Sequence, residues 1–181
     1  MSDFCHETER LVLRSWRDGD VDLWDKWLNV AAVARTAGGL NTREEIANAT
    51  SRMQISQADH GFCFWARERS ANGEFLGFCG LERFGDAIVP VALQGALEIG
   101  WRLREDAWGQ GYAKEAATAS LDLAFRRFGL DEVYAITLTH NSRSWGLMRR
   151  LGMTARPELD FDMPIHGRHV TYRIGREQWM A

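Results

Sequence analysis

The chain has 181 residues, of which 45% are hydrophobic and 26% charged, and its formal net charge is −3. This length and balance predict one domain, covering residues 1–181, that is long enough to bury a substantial core. A small negative charge indicates neither a nucleic-acid surface nor a polybasic membrane patch.

The cysteines and the apolar segments narrow the class of protein further. Cys5, Cys63 and Cys79 are scattered and odd in number, so they predict neither a zinc site nor a disulfide framework. The first seven residues show no basic region followed by an apolar run, and no apolar segment is long enough to span a bilayer. We therefore expect a soluble cytoplasmic protein without a metal and without nucleic-acid or membrane partners.

The first third of the chain predicts a strand followed by two helices. Residues 9–16 alternate roughly in polarity, which is typical of a strand. Residues 18–20 supply a turn and an N-cap for a helix whose apolar positions follow helical spacing. Thr42, with Glu45 three residues later, predicts a capping box and a second helix that runs to about residue 58.

The middle of the chain predicts a β-hairpin. Residues 62–68 and 75–83 have strand character, and Asn72-Gly73 between them is a strong turn signal. Residues 84–95 contain two glycines and a proline and predict an irregular loop, with Asp86 its only charge.

The remaining chain alternates between strands and helices. Glycines or polar caps at the expected places bound the helices. The predicted strands are 96–103, 132–139, 153–155 and 169–174, and the predicted helices are 112–128 and from Asn141 or Ser142 to 151. Residues 156–167 predict an irregular segment. The order indicates a mixed α/β domain with about seven strands.

The segment 98–115 organises this arrangement, because it predicts a strand, a turn and a glycine-containing loop that opens a helix. Gly109 and Gly111 allow a ligand to approach the backbone without a Cβ in the way. The N–H groups and dipole at the start of the helix favour an anion. The alternative is that the glycines only make a tight strand-to-helix turn.

Two common phosphate-binding patterns do not fit this loop. A Walker loop ends in Gly-Lys-Ser/Thr, whereas Gly111 is followed by Tyr112, Ala113 and Lys114. A dinucleotide fingerprint requires a small residue where Lys114 stands, and it lies early in its domain.

Residues 108–113 (WGQGYA) resemble the acyl-CoA pyrophosphate loop of the GCN5-related N-acetyltransferases (GNAT), written Gln/Arg-x-x-Gly-x-Gly/Ala. Gly111 and Ala113 stand at its last two signature positions, and Trp108 stands where Gln or Arg is usual. That departure resembles the RimJ/RimL-type branch, which modifies protein N-termini. Residues 8–14, 98–101 and 141–153 resemble further segments of the branch in the same order, so the similarity covers nearly the whole chain.

The resemblance implies a GNAT-like α/β fold, with helices on both faces of a mixed sheet, and an acetyl-CoA-dependent N-acetyltransferase without a metal. The acceptor would be a primary amine, in this branch a protein N-terminus. Two alternatives remain open: a small amine such as a polyamine or antibiotic, and a module that binds acyl-CoA without catalysis. The oligomeric state is also left open, with a homodimer as one option.

The resemblance also assigns cofactor contacts. Backbone groups of the central strand would pair with the pantetheine amides, the loop would hold the pyrophosphate, and the polar residues after the next strand would contact the pantetheine arm. The residues so assigned are Trp101, Leu103, Trp108, Gly109, Gln110, Gly111, Tyr112, Ala113, Lys114, Asn141 and Ser144. For two of these residues a purely structural role is the alternative to cofactor contact: Lys114 would be a solvent-exposed lysine of the first helical turn, and Asn141 would only cap the helix.

Acetyl transfer to an amine needs a base and an acid. Glu98 is the predicted base, because it is an acidic residue on an apolar strand where many family members carry Glu; pairing with an arginine is the alternative. Many family members have at this position a Tyr that acts as the general acid, but here the residue is Met148, which cannot donate a proton. Ser144 or a water is therefore predicted to protonate the thiolate. The alternative for Ser144 is a hydrogen bond from its hydroxyl to the backbone of its own helix.

His140 is a weaker candidate base, and His166, Arg168 and His169 are weak candidates for substrate contact.

Overall fold

The computed structural model describes residues 4–36, 38–85, 89–164 and 166–181. Within these residues nine strands form one mixed sheet in the order β1-β2-β3-β4-β5-β6-β9-β7, with β8 paired to β9. The strands are β1 Cys5–Glu7, β2 Leu11–Arg14, β3 Phe64–Arg69, β4 Phe75–Arg83, β5 Leu97–Leu103, β6 Glu132–Leu138, β7 Thr154–Ala155, β8 Phe161–Met163 and β9 Gly167–Gly175. Only the β5–β6 pairing is parallel among the described strand pairs.

The α-helices of the described ranges are α1 Asp20–Trp27, α2 Ala31–Ala34, α3 Arg43–His60, α4 Tyr112–Asp122, α5 Ser142–Arg150 and α6 Arg176–Met180. Helix α3 begins with the predicted capping box: Glu45 N donates to Thr42 Oγ1 at 3.2 Å, and Thr42 N donates to the Glu45 carboxylate at 2.7 Å. The predicted hairpin is also confirmed, since Gly73 has a φ of +69° and its N–H donates to Arg69 O.

Helices lie on both faces of the sheet, as the resemblance implies. Successive strand residues point to opposite faces. Phe78 packs its ring 4.9 Å from that of Trp24 in α1, whereas the Sγ of the next residue, Cys79, lies 3.7 Å from Ser120 Oγ in α4. The aromatic cluster on the α1 face also includes Trp16 and Phe75.

The number of strands differs from the predicted seven because two three-residue edge strands were missed. β1 pairs with β2, and β8 pairs with β9 inside the segment predicted to be irregular, so that prediction was wrong at Phe161–Met163. A strand this short carries too few alternating positions for its pattern to be recognised, and its pairing with a neighbour defines it.

Three predicted boundaries also changed. The first strand is limited to Leu11–Arg14. The helix predicted for 112–128 becomes π-helical at Leu123–Arg127, where Phe128 N donates to Leu123 O. In the predicted loop 84–95, Val91–Leu93 form one 3₁₀ turn, and Asp86 lies outside the described residues. No helix of the described ranges is long and apolar enough to cross a membrane.

Candidate active site

The sheet opens at the point where β5 and β6 separate. β5 pairs with β4 from Leu97 to Leu103, but its register with β6 consists of the single pair Glu98 and Tyr134. Beyond Glu98 the two parallel strands therefore diverge. A strand edge of this kind can pair with the amides of an extended ligand.

A cleft of about 1330 Å³ lies between β5, the loop of residues 108–111 (the glycine loop) and α5. Of the residues predicted to bind the cofactor or to act in catalysis, the structure brings all except Gln110 to the wall of the cleft. These are Glu98, Trp101, Leu103, Trp108, Gly109, Gly111, Tyr112, Ala113, Lys114, Asn141 and Ser144. The side chain of Gln110 instead donates to Asp106 O at 2.8 Å, which turns it back on its own loop.

Helix α4 presents uncapped N–H groups to this cleft. Its N-cap is Gly111, which has a φ of +84°, and no side chain of the described residues caps it. A positive φ is strained for residues with a Cβ, so glycine is required for this geometry. The N–H groups of Tyr112, Ala113 and Lys114 and the helix dipole together favour an anion.

Arg10 holds the loop from the other end of the chain. Its Nε lies 2.7 Å from the Glu115 carboxylate, its Nη1 donates to Gln110 O at 3.0 Å, and its guanidinium lies 4.7 Å from the centre of the Tyr112 ring. Thr8 Oγ1 also donates to Glu115 at 2.6 Å. The sequence prediction missed Arg10 because its partners are about a hundred residues away and no local pattern joins them.

Glu98 lies at the base of the opening. Its partner across the antiparallel pair is Glu82 in β4, and Ser56 Oγ donates to the Glu82 carboxylate at 2.8 Å. Burial and, to a smaller extent, the negative charge of Glu82 together raise the pKa of Glu98 to about 8. Burial also raises the pKa of Glu82. Glu98 is therefore a carboxyl group that changes charge near neutral pH, in the range that suits a general base.

Asn141 and Ser144 lie where α5 begins. Asn141 Oδ1 accepts from Ser144 N at 3.3 Å, and Asn141 Nδ2 donates to Thr137 Oγ1 at 3.0 Å. The capping alternative for Asn141 is thus present in the structure, whereas its contact with a ligand stays a prediction. Met148 is buried beside Ser144 in the cleft wall and has no proton to donate.

Three histidines also line the cleft: His140, His166 and His169. Burial lowers the pKa of His169, whose Nδ1 lies 2.9 Å from Gly167 O. Arg168 instead forms an ion pair with Asp162 at 3.0 Å. Among the described residues, no group of three or more His, Cys, Asp or Glu side chains is arranged to hold a metal ion.

The sequence prediction also missed the arginines of the cleft wall, among them Arg102 and Arg143. Arg143 stacks its guanidinium 4.7 Å from the centre of the Trp108 ring, joining α5 to the glycine loop. Arg102 lies on the same face of β5 as Glu98. Alternation along the predicted strand could have placed Arg102 on the same face as Glu98, but the Arg143 contact depends on packing.

Comparison with known proteins identifies the class that this fold and cleft define. The family model described as an acetyltransferase (GNAT) domain matches residues 10–154. The chain is 31% identical over 149 residues to Uncharacterized protein YkkB of Bacillus subtilis, covering 81% of this chain and 83% of that protein. It is 34% identical over 143 residues to FsC-acetyl coenzyme A-N(2)-transacetylase of Aspergillus fumigatus, covering 76% and 60%.

Solved structures share the fold. An acetyltransferase from Agrobacterium tumefaciens superposes with a TM-score of 0.81 at 24% identity, covering 96% of this chain and 95% of that one. A ribosomal-protein-S5-alanine acetyltransferase from Vibrio fischeri superposes with a TM-score of 0.75 at 16% identity, covering 98% and 99%. The chain belongs to the GNAT family and is an acetyl-CoA-dependent N-acetyltransferase.

Proposed function

We propose that the chain transfers the acetyl group of acetyl-CoA to the N-terminal amine of a protein or peptide. The observation that carries this proposal is the carboxyl group of Glu98, which ionises near pH 8 at the point where β5 and β6 separate. The similarity to the RimJ/RimL-type branch supports the protein terminus as acceptor.

Glu98 accepts a proton from the incoming ammonium, directly or through a water. The free amine then attacks the thioester carbonyl carbon, a C–N bond forms, and collapse of the tetrahedral intermediate breaks the C–S bond. The Ser144 hydroxyl or a water donates a proton to the departing thiolate and takes up the second proton of the attacking nitrogen, so the products are a neutral amide and a free thiol. Placement of both reactants in one cleft contributes much of the rate enhancement.

Acetyl-CoA supplies the activated acyl group, and the residues of the cleft fit its polar parts. The N–H groups of Tyr112, Ala113 and Lys114 would hold the pyrophosphate. The edge of β5 from Trp101 to Leu103 would pair with the pantetheine amides, because β6 has diverged there. These assignments rest on the uncapped helix start and on the strand edge.

Gly111→Ala tests the assignment of the loop. An alanine at a φ of +84° is strained by about 1 to 2 kcal/mol, so the loop leaves the geometry that presents its N–H groups. We expect the KM for acetyl-CoA to rise about tenfold, with little change in kcat at saturation. Gly95→Ala is the matched control, because Gly95 has a φ of +72° but lies outside the residues that line the cleft. Equal effects of the two variants on this KM would refute the assignment.

A second acceptor class has its own support. The Aspergillus fumigatus relative, whose name describes an N(2)-transacetylase, is 34% identical to this chain, compared with 16% for the ribosomal-protein-S5-alanine enzyme. A small-molecule amine is therefore the alternative acceptor.

Release of free thiol from acetyl-CoA separates the two acceptors. We expect turnover with short peptides that carry a free N-terminus, and none with the same peptides after N-terminal blocking. Turnover of polyamines and aminoglycosides, with no turnover of any peptide, would establish the small-molecule alternative. Binding of acetyl-CoA without turnover of any amine would contradict both.

A further inference from the structure

A second pocket, of about 440 Å³, adjoins the cleft on the α1 side of the sheet. We call it the α3 pocket, since residues of α3 form its outer wall. Its lining residues are Trp24, Asn41, Glu45, Ile46, Asn48, Ala49, Arg52, Met53, Phe64, Phe78 and Arg102. Phe64, Phe78 and Arg102 also line the cleft, so the two spaces share a wall.

Strand register shows how this wall relates to the predicted base. Glu98, Gly100 and Arg102 alternate along one face of β5, opposite Glu82, Gly80 and Phe78 of β4. The Phe64 ring covers Gly100 so closely that a Cβ there would lie 2.8 Å from Phe64 Cζ. The wall is therefore a thin aromatic layer, with Glu98 at one end and the Arg102 guanidinium at the other.

The charged groups of the α3 pocket favour an anion. Arg102 lies 5.5 Å from the ring centres of both Trp24 and Phe78. Burial lowers its pKa to about 10, which leaves the guanidinium charged at neutral pH. Arg52 adds a second guanidinium to the outer wall. Glu45 is the carboxylate of this lining, and its Oε2 accepts from Thr42 N at 2.7 Å and from Thr42 Oγ1 at 3.1 Å.

We propose that the α3 pocket is an acceptor subsite in which Arg102, assisted by Arg52, binds a carboxylate two or three residues beyond the reacting amine of a peptide. This inference rests on the proposed function and specifies its substrate class as an acidic N-terminal peptide. Guanidinium groups pair well with carboxylates because their donors match the two carboxylate oxygens.

The spacing sets the position of the carboxylate in the peptide. Arg102 follows Glu98 by four residue steps along β5, which corresponds to about 13 Å between their Cα atoms. An extended peptide advances about 3.3 to 3.6 Å per residue. Backbone advance alone would place the fifth residue of the acceptor at Arg102, but the Arg102 and acceptor side chains cover part of this distance. A carboxylate on the third or fourth residue therefore reaches Arg102 from an amine held at Glu98. The carboxylate of a free α-amino acid lies too close to its own amine to reach both groups.

Matched peptides test this inference. One pair is Ser-Ala-Glu-Ala-amide and Ser-Ala-Gln-Ala-amide, and a second pair carries Glu or Gln at the fourth residue. We expect kcat/KM for the better glutamate peptide to exceed that of its glutamine partner by about tenfold or more. Arg102→Gln should abolish this preference, Arg102→Lys should retain part of it, and Arg52→Gln should reduce it. Arg83→Gln is the control, because Arg83 is an exposed arginine of β4 outside the α3 pocket.

The outcomes separate this inference from the proposed function. Equal turnover of the glutamate and glutamine peptides by the unmodified enzyme would overturn the subsite while leaving peptide acetylation intact. Turnover of small acidic amines such as free glutamate, without turnover of either peptide, would overturn the spacing. Absence of turnover with any amine would instead contradict the proposed function. If Arg102→Gln does not fold, as judged by its thermal melt, the Arg102→Lys and Arg52→Gln variants give the same discrimination.

Discussion

Replacing Glu98 with glutamine is expected to lower kcat by about 10²- to 10⁴-fold, the range that a general base contributes. Glutamine keeps the shape of the side chain but cannot accept the proton of the ammonium. The affinity for acetyl-CoA should change little, because the loop and helix start assigned to the pyrophosphate remain intact. Steady-state kinetics and a separate measurement of acetyl-CoA binding test the two halves of this prediction.

The pH dependence gives the Glu98 prediction a second readout. A base acts only when it is ionised, so kcat/KM of the unmodified enzyme should rise with pH and level off above about 8, the pKa of Glu98. The Glu98→Gln variant should lose the part of this rise in kcat/KM that ionisation of the acceptor's own α-amino group, with a pKa of about 8, does not account for. Glu82→Gln should move the rise in kcat/KM to lower pH, because it removes the negative charge that raises the pKa of Glu98. A rise that persists unchanged in Glu98→Gln would assign the base to another group.

Folding stability should depend on Glu98 in the same pH range. The pKa of Glu98 in the folded protein, about 8, lies above its ordinary value of 4.5. Between these values the unfolded chain has released the proton that the folded protein retains, so the unmodified enzyme loses stability as the pH rises. The difference in free energy of unfolding, Glu98→Gln minus unmodified enzyme, should therefore increase from pH 5 to pH 9. Glu7→Gln, on the exposed edge strand, should show no such trend.

Asp20→Asn is expected to lower the free energy of unfolding by about 2 to 3 kcal/mol, less than the loss for a buried charge left with no partner, because Glu68 Oε1 still lies 2.6 Å from Arg14 Nη2. Asp20 and Arg14 are both 3% exposed, and two hydrogen bonds of 2.7 and 2.9 Å join them. Burial by itself would lower the pKa of Arg14, but the Asp20 and Glu68 carboxylates outweigh it and raise the pKa. Glu68 remains paired with Arg14 when Asp20 is replaced, so the guanidinium stays charged.

Asp22→Asn is the matched control for this stability prediction. Asp22 lies two residues further along α1, where it forms an exposed ion pair with Arg43. Its replacement should change the free energy of unfolding by no more than about 0.5 kcal/mol. Denaturant unfolding of the three proteins measures the difference. A loss for Asp20→Asn as small as that for Asp22→Asn would show that the buried pair is dispensable.

Features that depend on a few neighbouring residues were determined by the sequence itself. The Thr42–Glu45 capping box, the Asn72-Gly73 turn and the Gly111 helix start each require particular residues at fixed local spacing. The order of strands and helices, together with the WGQGYA loop, was sufficient to predict the fold class. Backbone conformation is restricted most strongly by adjacent residues, so these predictions did not depend on long-range packing.

Tertiary structure decided the features that join distant parts of the chain. The Arg10–Glu115 pair, the placement of Glu82 opposite Glu98, and the wall that Phe64 forms against Gly100 each depend on strand register or packing. Burial raises the pKa of Glu98, and burial follows from the whole fold. The residue type and position of Glu98 made it a candidate in the sequence, but its protonation behaviour depends on residues that the sequence leaves far apart.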